Sequence, residues 1–269
     1  MKENKILRFG EMELKLIFAF EERNQRTFTT GDAKRILRST DASAKNVLKR
    51  LARKGRAIRI ERGKYLFAPM AAGKAGKWGE DSLCLVPALV GAGEYYVGLL
   101  TALNYWEMTE QIPLIVYVVT KKKKKPLSAF GMKYVFVNMK IGEYGQEEVR
   151  GVKLNISSRE QAILDCLSRP EYSLGIAEVA KAIHAARKEM DWGRLVGLCL
   201  MGKDAVRRRL GYLLEALGEK KRAARLAKKC RGFVWLDPHA EKKRLGYSRK
   251  WGVILNVREQ DILEFERGY

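Results

Sequence analysis

Histidine is almost missing from this chain of 269 residues, which has two, His184 and His239. With so few, neither an HExxH helix nor a His-Cys cluster can assemble a catalytic zinc site. Cys84, Cys166, Cys199 and Cys230 lie far apart with no CxxC pair. That spacing argues against a zinc finger or a dithiol redox motif, and buried free thiols are expected. No apolar run reaches the roughly 18 residues of a membrane-spanning helix, and the N-terminus lacks the order of a signal peptide. A cytoplasmic protein without membrane contact is therefore expected. A G-x-x-x-x-G-K-[ST] phosphate loop and a G-x-S-x-G nucleophile elbow are also absent. Acidic residues are outnumbered, 31 against 53 basic ones, leaving +22 and a sequence pI near 9.9. Such an excess is the footprint of a polyanion-binding protein. Gln and Asn are scarce beside Lys, Arg and Glu, a composition compatible with a thermophilic source.

The charge is not spread evenly. Residues 1–70 carry +10, residues 71–170 carry +3 and residues 171–269 carry +9. The first basic end has the pattern of a winged helix-turn-helix. Asp41 is expected as N-cap of a helix ending before Gly55, with Ala44, Val47, Leu48 and Leu51 forming one apolar stripe. Ser43, Lys45, Asn46, Lys49, Arg50 and Arg53 take the opposite side, where amides and cations can reach base edges and phosphates. Upstream, Thr27–Thr29 reads as a short strand, Thr30 as the cap of a helix to Leu37, and Arg38–Asp41 as the turn. Downstream, Ala57–Ile60 and Tyr65–Phe67 read as strands joined by Glu61-Arg-Gly-Lys, with Gly63 free to take positive φ. Arg59, Arg62 and Lys64 would then lie on the wing, against backbone or minor groove. An apolar helix over Glu11–Glu22, with Leu14, Ile17 and Phe18 in line and Leu16 and Phe20 beside them, supplies the back wall.

The expected fold class is α+β: a winged-helix domain over 1–70, a linker over 71–79 with the boundary near 75, and a larger C-terminal α+β domain over 80–269 ending in basic helices. A subdivision near 170 is an alternative. In the middle, Tyr95–Trp106 reads as a helix, and 112–120, 132–140 and 149–156 as strands. Lys121–Lys125 read as a loop tip, either solvated or touching phosphate. Ser157 and Glu160 have capping-box spacing. Asp204–Leu217 reads as an amphipathic helix with Arg208 pointing outward, and Glu219–Cys230 as a basic helix with Lys221, Arg225 and Lys228 outward. Lys121, Lys122, Lys123, Lys124, Lys125, Arg208, Lys221, Arg225 and Lys228 are thus additional candidates for nucleic-acid or partner contact.

Four segments resemble the AbiEi-type antitoxin and transcriptional regulator family, in the family's order. They are Tyr95–Pro113, the "E-x-x-hydrophobic-x-D" pattern in Ser158–Cys166, "R-L-G-x-L-L-E" in Arg209–Glu215, and Trp251-Gly-Val-Ile-Leu-Asn256, which is similar to "W-G-L-x-x-N" with Val253 in place of the leucine, together spanning 95–256. The resemblance implies an operator-binding winged helix, often on inverted repeats of double-stranded DNA, and a C-terminal domain needed for antitoxin action. It also implies a separately encoded nucleotidyltransferase toxin as partner, although some relatives are transcription factors without one. Departures are the high positive charge, the lysine run, and Asn104-Tyr105-Trp106 where His-Gly is common. The expectation is a sequence-specific transcriptional regulator that autoregulates as an antitoxin. An activator recruiting a general transcription factor is one alternative. The enzyme-class alternative is a magnesium-dependent nuclease built on carboxylates such as Glu160 and Asp165. Those two lie five apart, about 140° around a helix, poorly placed to share acid-base work; Glu160 is expected to cap the helix and Asp165 to pair with a cation such as one of Arg207–Arg209. No cofactor, metal or catalytic residue is expected.

Overall fold

The computed structural model describes residues 8–72, 82–91, 93–112 and 114–267. Most of the expected linker, and its boundary near residue 75, lie outside the described residues. Two compact units emerge: one comprises residues 1–93, 125–134 and 149–152, the other residues 94–124, 135–148 and 153–269.

The first unit opens with α1 (Glu11–Glu22), β1 (Thr27–Thr29), α2 (Thr30–Leu37), α3 (Asp41–Arg53), β2 (Ala57–Glu61) and β3 (Lys64–Phe67), and its three strands form a sheet in the order β1-β3-β2. These are the elements the sequence pattern predicts. Their core gathers Leu16, Ile17 and Phe20 from α1, Leu37 from α2, and Ala44, Val47, Leu48 and Leu51 from α3. Phe20 stacks on Phe28 with ring centroids 4.3 Å apart. Two caps sit one residue earlier than expected. Thr29, not Thr30, caps α2, accepting from Asp32 N at 3.1 Å while Asp32 accepts from Thr29 N at 2.8 Å. Thr40, not Asp41, caps α3, accepting from Ser43 N at 3.3 Å. Asp41 instead occupies the first turn, where a carboxylate suits the helix dipole, and pairs with Lys34 at 2.9 Å. Gly55 takes φ +69° past the end of α3, and Gly63 takes φ +75° at the hairpin tip, as the left-handed positions there require. The stripe on α1 is rotated from the expected one: Glu13, Leu16, Ile17 and Phe20 are buried while Phe18 is 57% exposed. A short helix, α4 (Val86–Val90), also belongs to this unit.

The central part of the chain forms β4 (Tyr95–Val97), α5 (Leu99–Tyr105), β5 (Ile115–Thr120), β6 (Leu127–Ala129), β7 (Met132–Asn138), β8 (Tyr144–Val149) and β9 (Val152–Ser157), and its six-stranded sheet runs β6-β7-β5-β4-β9-β8. The expected single helix over Tyr95–Trp106 is corrected. Tyr95-Tyr-Val pairs antiparallel with β5 and parallel with β9, and the helix starts only after Gly98. An aromatic and β-branched triplet favours the sheet, and glycine interrupts what helical spacing alone suggests. The expected strand over 149–156 resolves into a turn at Arg150-Gly151, both with positive φ, followed by β9. The preceding strand β8, Tyr-Gly-Gln-Glu-Glu-Val, lacks the alternation that marks a strand because it lies at the sheet edge.

The remaining elements, all in the second unit, are α6 (Arg159–Ser168), α7 (Ile176–Ala185), α8 (Trp192–Met201), α9 (Asp204–Ala216), α10 (Lys220–Ala224), β10 (Val234–Trp235), β11 (Gly246–Ser248), β12 (Val253–Leu255) and α11 (Glu259–Ile262). Ser158, not Ser157, caps α6, accepting from Gln161 N at 3.2 Å, so the expected capping box is not formed. The long basic helix expected over Glu219–Cys230 stops after Ala224. Beyond it, the Leu226 carbonyl accepts from Arg207 Nη1 at 2.8 Å instead of continuing a helical ladder.

Two of the motifs, Arg209–Glu215 and Trp251–Asn256, lock together here. Arg209 donates to the carbonyls of Trp235 at 3.0 Å and Leu167 at 2.8 Å. Gly211 lies so close to Trp251 that an added Cβ would sit 2.1 Å from its ring. Glu215 accepts from the Trp251 indole, and Asn256 bridges the Asp237 backbone in both directions, at 3.0 and 2.7 Å.

Candidate nucleic-acid interface

The outward side of α3 begins with its inward side. Ala44, Val47, Leu48 and Leu51 are at most 2% exposed, and this fixes the helix rotation so that Lys45, Asn46, Lys49, Arg50 and Arg53 face solvent while Ser43 is half-buried in the first turn. On the hairpin, Arg59 and Arg62 are exposed and Lys64 is half-buried. Arg59 Nε donates back to the Glu61 carbonyl at 3.3 Å. The first unit therefore presents one helix face of cations and an amide, and a cationic hairpin tip.

Arg50 has a second attachment. Its Nε donates to Glu13 Oε1 at 3.1 Å, with its side chain 49% exposed and that of Glu13 1%. Lys54 holds the other Glu13 oxygen and also donates to the Arg8 carbonyl at 2.7 Å. Burial raises the affinity of the Glu13 carboxyl for its proton, but hydrogen bonds from Lys54, the Gly10 amide and Arg50 outweigh that and hold it below its ordinary 4.5. Thus Glu13 clamps the C-terminal half of α3 to α1 and orients Arg50. Neither Glu13 nor Lys54 stood out in the sequence. The readable signal was Glu13 at the head of the i, i+3, i+4, i+7 series that continues through Leu16, Ile17 and Phe20.

The additional candidates divide. Among the lysine run, Lys121 pairs with Glu94 and Lys124 lies 5.6 Å from the Phe136 ring centroid. Lys122, Lys123 and Lys125 are exposed in the loop. Lys221, Arg225 and Lys228 are exposed as expected, although on a short helix and the irregular chain after it. Arg208 is the correction. It is 6% exposed, and its guanidinium donates to Asp204 and to the carbonyls of Arg231 and Gly232, each of these two at 2.9 Å. It is internal framework because one turn of α9 puts Arg207 and Arg208 over the same Asp204 carboxylate.

The carboxylates suggested for a nuclease make hydrogen bonds within the fold. Glu160 accepts from Asp191 N at 3.0 Å, and Asp165 accepts from Tyr96 at 2.7 Å and Gln161 at 2.8 Å. The expected pairing of Asp165 with an arginine of α9 does not occur. Burial dominates this carboxyl and pushes its pKa up to about 7. Asp165 also lines a recess of about 800 Å³ with Gln161, Lys121, Lys140, Arg169 and Lys203. The Arg169 charge there is matched by Glu171. Among the described residues no group of three or more His, Cys, Asp or Glu is placed to hold a metal. Cys84, Cys166 and Cys199 are buried and Cys230 is half-buried, and none of the four is in a disulfide. No described helix is long and apolar enough to cross a membrane.

Helix, turn, helix and cationic hairpin thus stand in one unit. Residues 15–68 match the sequence model described as transcriptional regulator, AbiEi antitoxin. The AbiEi match covers the winged helix and stops short of residues 95–256, where the resembling motifs lie. The crystal structure of the RV2827C protein from Mycobacterium tuberculosis superposes with a TM-score of 0.64, over 97% of this chain and 96% of that one, at 14% identity. At that identity the likeness is one of fold. No curated protein matches the chain.

Proposed function

We propose that the chain is a sequence-specific DNA-binding transcriptional regulator in which α3 enters the major groove of double-stranded DNA and the β2–β3 hairpin touches the flanking backbone. The observation that carries this reading is the two-sided α3. Its buried stripe is complete, and its other side holds Lys45, Asn46, Lys49 and Arg53 in solvent. Asn46 has the chemistry to read an adenine edge, and Arg50, steadied by Glu13, to read guanine. Lys45, Lys49, Arg53, Arg59, Arg62 and Lys64 suit phosphates. The AbiEi match supports extending this to an antitoxin; autoregulation and a nucleotidyltransferase toxin as partner are what the resemblance over residues 95–256 adds.

Titrating bound duplex against salt tests the reading. With about 5 phosphates neutralised, log K against log[salt] should slope near −4 to −5, whereas a slope near zero would exclude it. Asn46→Ala and Arg50→Ala should each cost about 1–3 kcal/mol and relax base preference, while Arg62→Ala weakens all sequences alike. Selection of bound genomic fragments should return DNA upstream of the protein's own gene.

A further inference from the structure

The small C-terminal sheet runs β10-β12-β11, and its register places Trp235, Ile254 and Tyr247 side by side across the three strands. Cross-strand neighbours point to the same face. Tyr247 is 51% exposed, as is Phe233, whose ring centroid lies 5.4 Å from that of Tyr247. Lys242 Nζ sits 5.3 Å from the Trp235 ring centroid. One side of this sheet is therefore an aromatic platform open to solvent.

Its setting is strongly cationic. Residues 219–250 contain 12 Lys and Arg against 3 Asp and Glu. Asp237, one of the 3 acids, is 4% exposed and its carboxylate accepts from the backbone amides of Ile176 and His239. Glu219, another, pairs with Arg222. Arg231, Lys242, Lys243, Arg244 and Arg249, which flank the ring-bearing strands in sequence, are all exposed. The platform is also anchored. Buried Arg208 holds the carbonyls of Arg231 and Gly232 immediately before Phe233, and Asn256 holds the chain after Trp235 through Asp237.

We propose that the β10-β12-β11 face, with Phe233 and Tyr247 as stacking rings and Arg231, Lys242, Lys243, Arg244 and Arg249 as phosphate contacts, is a binding site for single-stranded DNA. Unpaired bases stack on exposed rings while phosphates meet the surrounding cations, a combination tolerant of sequence. Duplex DNA keeps its bases stacked on one another and gains nothing from the rings. Glu241, the third acid, is exposed beside Lys242. The choice of DNA over RNA rests on the proposed DNA-binding role, and comparison with an oligo(U) decides it. The site lies wholly in the second unit and does not depend on what α3 reads.

Fluorescence anisotropy of the full chain with a labelled oligo(dT) of about 12 nucleotides tests the proposal. Phe233→Ala and Tyr247→Ala should each weaken the oligonucleotide about tenfold or more and leave duplex affinity within about twofold. Lys243→Ala with Arg244→Ala should flatten the salt slope for the oligonucleotide by about 0.7 per cation removed. Phe233→Leu and Tyr247→Leu, which keep apolar bulk without a ring, should behave like the alanine variants. Asn46→Ala with Lys49→Ala should impair duplex binding and spare the oligonucleotide, so the two sites fail separately. Absence of oligo(dT) binding at low salt, equal loss of duplex and oligonucleotide in the ring variants, full retention in the leucine variants, or an oligo(U) that binds tenfold tighter than oligo(dT) would each overturn the assignment.

Discussion

Replacing Glu13 by Gln tests the clamp behind the candidate reading helix. The amide keeps the shape of the carboxylate, so packing around Leu16 and Ile17 is preserved while the charge is lost. Glu13 is 1% exposed and accepts from the Gly10 amide at 2.9 Å, from Arg50 Nε at 3.1 Å and from Lys54. Charge-assisted hydrogen bonds of this kind contribute about 1.5–3 kcal/mol each when dry. Here the cations can rehydrate, since the Arg50 and Lys54 side chains are 49% and 24% exposed, and a combined loss of about 2 kcal/mol is the reasonable figure. Amide hydrogen exchange over residues 41–54 reports it directly: opening that is about 2 kcal/mol easier exchanges about 30-fold faster. The pH dependence has a definite sign. A carboxyl held below its ordinary 4.5 stabilises the fold above that value and loses the contribution as pH falls through the lower, folded-state value. Protonated Glu13 resembles glutamine, so the ratio of exchange rates between variant and wild type should fall toward one on acidification below about pH 4.5. A ratio near one at pH 7, or one that persists to pH 3, would refute the clamp.

Gly211→Ala should destabilise the second unit by about 3 kcal/mol, because the new methyl would meet the buried Trp251 ring at 2.1 Å and a packed interior yields little; a urea midpoint followed by tryptophan fluorescence that shifts by less than about 1 kcal/mol would contradict this. Asp165 has the opposite linkage to Glu13. Its pKa is raised from 3.8 to about 7 by burial, so the folded state binds the extra proton and stability falls as pH rises between those values, by at most about 1.4 kcal/mol per pH unit. Asp165→Asn should remove that slope in denaturant titrations across the same range, and an unchanged slope would assign it to other groups.

The winged helix was legible because its signals are local. Apolar spacing in α3, Gly55 and Gly63 at left-handed positions, and the Arg62-Gly63 hairpin each act within a few residues. The two caps fall one residue before the expected ones because Thr29, Thr30, Thr40 and Asp41 all have capping chemistry, and only backbone angles choose between neighbours. Tyr95–Val97 reads as helix in sequence because a fully buried strand and a helix face are both apolar there. What decides is pairing with Val118–Thr120 and Ile156, more than 20 residues away. The Arg50–Glu13 contact spans 37 residues and leaves no local trace except the acidic residue in the apolar stripe. The platform of Phe233 and Tyr247 is invisible in sequence for the same reason: the two rings share a surface only once β11 pairs with β12.

Net charge alone therefore misjudges where a polyanion can be held. Arg207, Arg208 and Arg209 form the densest basic triplet of α9, yet they are 4%, 6% and 7% exposed, and their guanidinium groups are consumed by Asp204 and by main-chain carbonyls. A buried guanidinium satisfied in this way is costly to remove and offers nothing to a phosphate. Among the cations that remain outside, two sets differ in physical setting. On α3 they are spaced along a rigid helix, suited to the fixed geometry of a duplex groove. After α10 they sit on irregular chain around exposed rings, where backbone positions are set by Arg208 from beneath. The same buried arginine that cannot touch a nucleic acid is thus what orders the surface on which one could be held.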